Sequence, residues 1–386
     1  MDVAEALRQL IHSRFGVRHS FLSGTGRAGM TLLLKALRRL APASRDEVVL
    51  PSYTCYSVAA SVVKAGLRIR VVDISPETLD YAPHQLANAD LSRVLAVVTT
   101  NLYGHPNDLP SISNLAREAG VFLIDDAAQA MGASVVGRLC GTWGDAGLFS
   151  FDKGKNVSAI DGGVVVTSSD EIAAALTSEF AILPAPSVTE SCANVVKALA
   201  YFELLRPWLY GIPSRIPQLS LGRTVFTTAF PLERQSRSLV ALALTMMAHL
   251  DEFTRARAAN ATALLEGLKD VNGVQAVLPR TGTVSAWLRL PVLYAEAGAR
   301  DRAIDALNHA GIGASGSYPA SIADIAQLRD QFANPSPMAA GGRHVARHIA
   351  TLPTHPFVSA GDIRTAVATI AETAGTAQAM GVHSRA

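Results

Sequence analysis

The chain has 386 residues, 49% of them hydrophobic and 17% charged, with 34 basic against 32 acidic residues and a net charge of +2. That length is too great for one small core and implies two or three subdomains. The composition excludes a disordered chain, and the balanced charge gives no footing to a nucleic-acid partner.

In chain order, residues 1–15 read as a short helix. Its start, Met1-Asp2-Val3-Ala4-Glu5, is acidic and amphipathic, unlike a signal peptide. Ser23-Gly24-Thr25-Gly26-Arg27 opens a second helix, with Met30, Leu33, Leu37 and Leu40 at helical spacing as its buried stripe. Short β-branched runs then alternate with helical patterns. The expected strands are 48–50, 69–72, 94–98, 121–124, 147–150 and 164–166, and helices are expected over 54–65 and 108–119. This alternation predicts an α/β fold: a mostly parallel sheet flanked by helices on both faces, with ligands at the carboxyl ends of the strands.

Residues 183–235 differ. Pro184, Pro186, Pro207, Pro213, Pro217 and Pro231 interrupt the segment, which holds an apolar helix over 194–205 and then Trp208-Leu209-Tyr210. A long helix over 236–268 is expected next. After it comes a smaller α/β domain with a strand at 286–290 and helices near 299–310 and 360–373. The expected domains are 1–235 and 236–386, with loose final residues. Cys55, Cys140 and Cys192 cannot all pair and have no metal-ligand spacing, which points to a reducing, cytoplasmic compartment. No apolar run is long enough to span a bilayer, although the mean hydropathy is +0.23.

The chemistry concentrates at strand ends. Phe149-Ser150-Phe151-Asp152-Lys153-Gly154-Lys155-Asn156 places lysines in a small-residue turn between two apolar strands. Upstream, Leu123-Ile124-Asp125-Asp126 is a strand that ends in acids. A carboxylate at one strand end and a lysine at a later one suit pyridoxal 5′-phosphate. The acid keeps the pyridine nitrogen protonated, and the lysine holds the aldehyde as a Schiff base. Alternation aims Lys153 and Lys155 the same way, so this reading does not separate them. Either aspartate could instead cap the next helix. Gln129 follows Asp126 by three residues and could donate to the ring oxygen. The 23–27 loop offers backbone N–H groups to a phosphate, and Ser150 adds a hydroxyl near the same place.

These pieces together resemble the DegT/DnrJ/EryC1/StrS family of fold type I enzymes, mostly sugar aminotransferases that use pyridoxal phosphate. The resemblance rests on the Ser-Gly-Thr helix start, Leu50-Pro51-Ser52-Tyr53-Thr54 and Val72-Asp73-Ile74-Ser75-Pro76-Glu77-Thr78-Leu79. It continues with Leu102-Tyr103-Gly104-His105-Pro106, Asp126-Ala127-Ala128-Gln129-Ala130 and Phe149-Ser150-Phe151. It ends with Gly311-Ile312-Gly313, Tyr318-Pro319 and Leu352-Pro353-Thr354-His355-Pro356. It implies that Lys155, not Lys153, is the Schiff-base lysine and that Asp126, not Asp125, meets the pyridine. It further implies Gln129 at the ring oxygen and Thr25, Gly26 and Ser150 at the phosphate, beside Arg27. It implies a homodimer, an amino donor such as glutamate or glutamine, and a nucleotide-linked keto-sugar or related polyol as acceptor.

Two departures stand out. Where the family often stacks an aromatic on the ring, this chain has Cys55, with Tyr53 and Tyr56 nearby. Where a partner usually lends an asparagine to the phosphate, it has Thr228-Ala229-Phe230-Pro231-Leu232-Glu233-Arg234-Gln235-Ser236, so Arg234 or Gln235 is the substitute to examine. The candidate arginines for the donor carboxylate are Arg27, Arg234, Arg280 and Arg289. The 183–235 stretch is longer than its counterpart. It reads as extra dimer interface or core extension. The sharper alternative is an apolar cover, or a dock for a membrane-borne or lipid-linked substrate through Tyr201, Phe202, Trp208, Leu209 and Tyr210. The rival functions are another pyridoxal-phosphate reaction and a non-catalytic scaffold that binds the cofactor.

Overall fold

The protein is described from a computed structural model that covers residues 2–184, 186–204, 225–334 and 338–382. Side chains are described for these except Val188, Leu199, 201–204 and 375–382. In chain order the elements are α1 (Val3–Phe15), β1 (His19–Ser23), α2 (Gly26–Leu40), β2 (Glu47–Pro51), α3 (Tyr56–Lys64), β3 (Arg68–Val72), α4 (Pro83–Ala87) and β4 (Val94–Thr100). Next come α5 (Leu109–Ala119), β5 (Phe122–Asp126), β6 (Ser134–Val135), β7 (Arg138–Leu139), β8 (Ala146–Ser150), β9 (Gly163–Thr167), α6 (Asp170–Ala181) and α7 (Val188–Leu204). The rest are α8 (Arg237–Ala248), α9 (Leu250–Leu268), β10 (Val274–Ala276), β11 (Thr283–Val284), β12 (Arg289–Tyr294), α10 (Ala297–His309), α11 (Ala340–His348), β13 (Ile349–Pro353) and α12 (Ala360–Val382).

Seven strands form the main sheet in the order β1-β9-β8-β5-β4-β2-β3. The pairings β2–β3, β2–β4, β4–β5 and β5–β8 are parallel, while β1–β9 and β8–β9 are antiparallel. The parallel strands are buried along nearly their whole length because helices cover both faces. Successive side chains alternate between two cores: Ala96 and Val98 join one, and Val97 between them joins the other. Local chemistry sets the helix ends. The Thr25 hydroxyl accepts from Ala28 N (3.0 Å) at the start of α2, and Asp108 accepts from Ser111 N (3.4 Å) at the start of α5. Gly16 and Gly120 close α1 and α5 in the left-handed region. Helix α1 packs back onto the sheet, with Phe15 and Phe149 ring centroids 4.5 Å apart.

A smaller sheet, β10-β12-β13, has its own core with Leu264, Leu290, Val292, Leu307, Leu352 and Ile370. Its chain also returns to the large body. Strand β11 pairs with β6, and Val277, Leu293 and Tyr318 join the main core. Helix α8 starts just after residue 235 yet packs on the large body through Val240, Ala243 and Met247.

Three expectations need correction. The 236–268 helix is two helices, broken at His249 (φ −97°, ψ 3°). The strand at 286–290 lies instead at 289–294, because Trp287 sits at φ 45° and leaves the extended region. Strand β1 was not foreseen. It exists because β9 offers it an antiparallel edge. Within 183–235, α7 carries the expected apolar helix. Trp208, Leu209 and Tyr210, and the side chains of Tyr201 and Phe202, lie outside the described residues. Among the described residues no helix is long and apolar enough to cross a membrane.

Candidate active site

The carboxyl ends of β1, β5 and β8 bring the expected residues to one edge. Asp125 and Asp126 end β5, and alternation sends their side chains to opposite faces. Asp125 is fully buried and satisfied. It accepts from Asn101 Nδ2 (2.9 Å), Gly141 N (2.6 Å) and Trp143 N (3.1 Å). Its role is to hold the 141–143 loop. Asp126 is 6% exposed, and among the described residues its carboxylate accepts a single hydrogen bond, from Ala128 N (2.9 Å). Burial raises its pKa to about 6, opposed by that N–H and by the charge of Lys155, and helped by Asp125. A buried carboxylate so poorly compensated suits a cationic partner.

The turn after β8 separates the two lysines. Gly154 takes φ 76°, Lys153 is exposed, and Lys155 is half-buried. Lys153 acts electrostatically on Asp161, whereas Lys155 acts on Asp126. Asn156, next to Lys155, anchors the turn by donating to Met131 O (2.9 Å) and Ala286 O (3.5 Å). Gln129 stands across the edge. Its Oε1 accepts from Tyr103 N (2.8 Å), and its Nε2 donates to Tyr318 Oη (2.7 Å). Tyr103 is held at φ 58°, a costly conformation that turns its N–H toward Gln129.

Thr25, Gly26 and Ser150 meet where α2 begins. A Cβ on Gly26 would lie 3.2 Å from the Ser150 hydroxyl, and one on Gly163 would lie 2.6 Å from Gly26 Cα. Only small residues fit here, so the backbone donors stay open, and α2's positive end faces the cradle. Arg27 lies over the Phe230 ring (5.3 Å), which also carries Lys64 Nζ (4.7 Å). The donor set fits pyridoxal phosphate: an anion cradle, a lysine, and a buried carboxylate for a ring cation.

Cys55 is half-buried at the start of α3, close enough to Tyr318 for the two side chains to act on each other electrostatically. Tyr56 turns toward the chain at 318–320. Its hydroxyl accepts from Ala320 N (2.9 Å), and its ring lies 6.1 Å from that of Tyr318. Arg234 caps α6 through Phe180 O (3.2 Å) and Ala181 O (3.3 Å). Gln235 donates to Asp161 O (3.3 Å), and its Oε1 is buried without a partner. Arg280 pairs with Asp108, and Arg289 donates to Thr351 and Gly313 O. Sequence reasoning missed the clamp at His105. Its Nε2 lies 3.1 Å from Val277 O, its Nδ1 lies 2.8 Å from Ser285 Oγ, and burial lowers its pKa to about 4.

The DegT/DnrJ/EryC1/StrS aminotransferase family model matches residues 3–183 and 236–371. The chain belongs to that family. The pleiotropic regulatory protein of Geobacillus stearothermophilus is 33% identical over 173 residues, 45% of this chain and 46% of that protein. The UDP-N-acetyl-3-dehydro-alpha-D-glucosamine 3-aminotransferase of Acidithiobacillus ferrooxidans is 37% identical over 169 residues, 43% and 45%. The chain thus spans under half the length of these curated relatives. A family aminotransferase structure from Brucella abortus superposes with a TM-score of 0.76 at 22% identity, covering 97% of this chain and 91% of that one. That similarity shows the fold. The stretch 184–235 falls outside the family match.

Proposed function

We propose that this protein is a pyridoxal-phosphate-dependent aminotransferase. It moves an amino group from an amino acid, glutamate or glutamine, to the keto group of a nucleotide-linked sugar or related polyol. We place it in the cytoplasm as a homodimer. The observation that carries the reading is a buried, under-compensated Asp126 within electrostatic reach of Lys155, beside a cradle where a Cβ on Gly163 would lie 2.6 Å from Gly26 Cα. Family membership and the sugar aminotransferase among the relatives support it.

Pyridoxal phosphate, when bound, supplies an electron-poor ring that takes up the pair left when the donor's Cα–H bond breaks. This chain's residues do the rest. Thr25, Gly26 and Ser150 hold the phosphate at α2's N-terminus, with Arg27 nearby. The Asp126 carboxylate keeps the ring nitrogen protonated. Gln129, fixed by Tyr103 and Tyr318, retains one Nε2 hydrogen to donate to the ring oxygen. Lys155 Nζ would hold the cofactor and, once the donor's amine displaces it, would be free to take the proton from the donor's Cα and give it back, acting as base and then acid. Cys55 and Tyr56 border the ring's place.

The test is an absorbance spectrum of the protein with pyridoxal phosphate, before and after glutamate or glutamine, for wild type and Lys155→Ala. The expected result is a visible band that donor abolishes and that Lys155→Ala lacks. Wild type with no such band would defeat the proposal.

A further inference from the structure

Arg257, in the middle of α9, is 6% exposed. Its Nη1 donates to Leu288 O (2.9 Å) and Thr354 Oγ1 (3.4 Å). Its Nε is buried with no acceptor. Among the described residues no carboxylate pairs with it. Burial, and then the positive charge of Arg289, hold its pKa down at about 10. Beyond the described side chains the only acidic side chain in the sequence is Glu203. Beside Arg257 stands His355, whose Nδ1 is also buried without a partner. Asn260, one turn along α9, fixes that loop by donating to Thr354 O (3.1 Å) and His355 O (3.0 Å). A guanidinium buried without a counter-charge costs stability, and an arriving anion recovers it.

The site lies on a strip shared with the lysine turn. Arg257 holds Leu288 O, and two residues earlier Ala286 O meets Asn156, the neighbour of Lys155. The Nε edge of a guanidinium takes a planar carboxylate in two parallel bonds. We propose that Arg257, flanked by Arg289 and His355, binds a carboxylate of the amino-acid donor. This rests on the aminotransferase reading above. The site positions the donor along Ala286–Leu288, with its amine toward Lys155.

Glutarate is the probe, a dicarboxylate with no amine to react. Its affinity for the cofactor-loaded protein is measured by calorimetry in wild type, Arg257→Met, Arg257→Lys and His355→Asp. Wild type should bind it, and Arg257→Met should bind about 10- to 100-fold more weakly, the loss expected for a charge-assisted contact. Arg257→Lys should recover part of the affinity. His355→Asp supplies an internal counter-ion and should weaken glutarate while raising Tm. Without ligand, Arg257→Met should keep or raise Tm, which a merely structural arginine would not. Equal affinity in wild type and Arg257→Met, or no binding by wild type, overturns the assignment. If Arg257→Met fails to fold, unweakened binding in His355→Asp overturns it. A wild-type protein whose visible band ignores every amino acid overturns the aminotransferase reading instead.

Discussion

The carboxyl edge of the main sheet and the interior of the smaller unit handle buried charge in opposite ways. In the sheet, Asp125 has four donors built around it, from Thr99, Asn101, Gly141 and Trp143, and serves as a brace. One residue on, Asp126 has one donor and a raised pKa. In the smaller unit, Arg257 and His355 each keep a buried nitrogen without a partner. The brace is saturated at folding, whereas the other three groups are left short and, on the proposals above, wait for a ligand.

The contrast can be broken by substitution. The largest effect belongs to Lys155→Ala, which should abolish the cofactor's visible band and cut turnover by at least ~10³-fold, the scale of lost proton transfer. Lys153→Ala, exposed and facing Asp161, should leave the band in place. Next, Asp125→Asn strips the loop of its charged acceptor and should cost about 3 kcal/mol in denaturant unfolding. Asp126→Asn should cost the cofactor-free protein nothing and should weaken cofactor binding. The signs follow from linkage. Burial raises the Asp126 pKa from 3.8 to about 6 in the fold, so the unfolded chain binds fewer protons across that window. The Asp126 contribution to stability then falls as pH rises through it. Thermal melts of cofactor-free protein should show this slope shrink in Asp126→Asn. If the slope persists, Asp126 is not the poorly compensated group.

Smaller effects test the cradle and its neighbour. Gly163→Ala would press a Cβ onto Gly26 Cα and N at 2.6 and 2.8 Å. It should lower cofactor affinity about tenfold, read by fluorescence titration. The mildest change is Tyr318→Phe, which removes the 2.7 Å contact to Gln129. It should cost about 1 kcal/mol in stability and only modestly slow turnover.

Much of this was legible along the chain. Six strands of the main sheet fall within two residues of their expected places, since buried parallel strands write themselves as apolar β-branched runs. The residues of the lysine turn, the aspartates and Gln129 were visible as strand-end chemistry. The division of labour between Asp125 and Asp126 was not, because the donors to Asp125 come from Gly141 and Trp143, well downstream. Likewise Trp287 lies in an apolar run that reads as strand. The ties of its neighbours Ala286 and Leu288 to Asn156, Gly104 and Arg257 turn the chain there. Arg257 looked like any helical arginine beside Arg255. Only burial distinguishes it, and burial is a property of the packed molecule.

The His105 clamp has a consequence for how the molecule comes apart. A neutral imidazole lying between the Val277 carbonyl and the Ser285 hydroxyl ties the segment between β10 and β12 to the large body, beside the β11–β6 pairing. Neither core can lose its packing without dragging on the other. Heating should therefore give one cooperative transition, seen at the same temperature by tryptophan fluorescence and by circular dichroism, despite two sheets with separate cores.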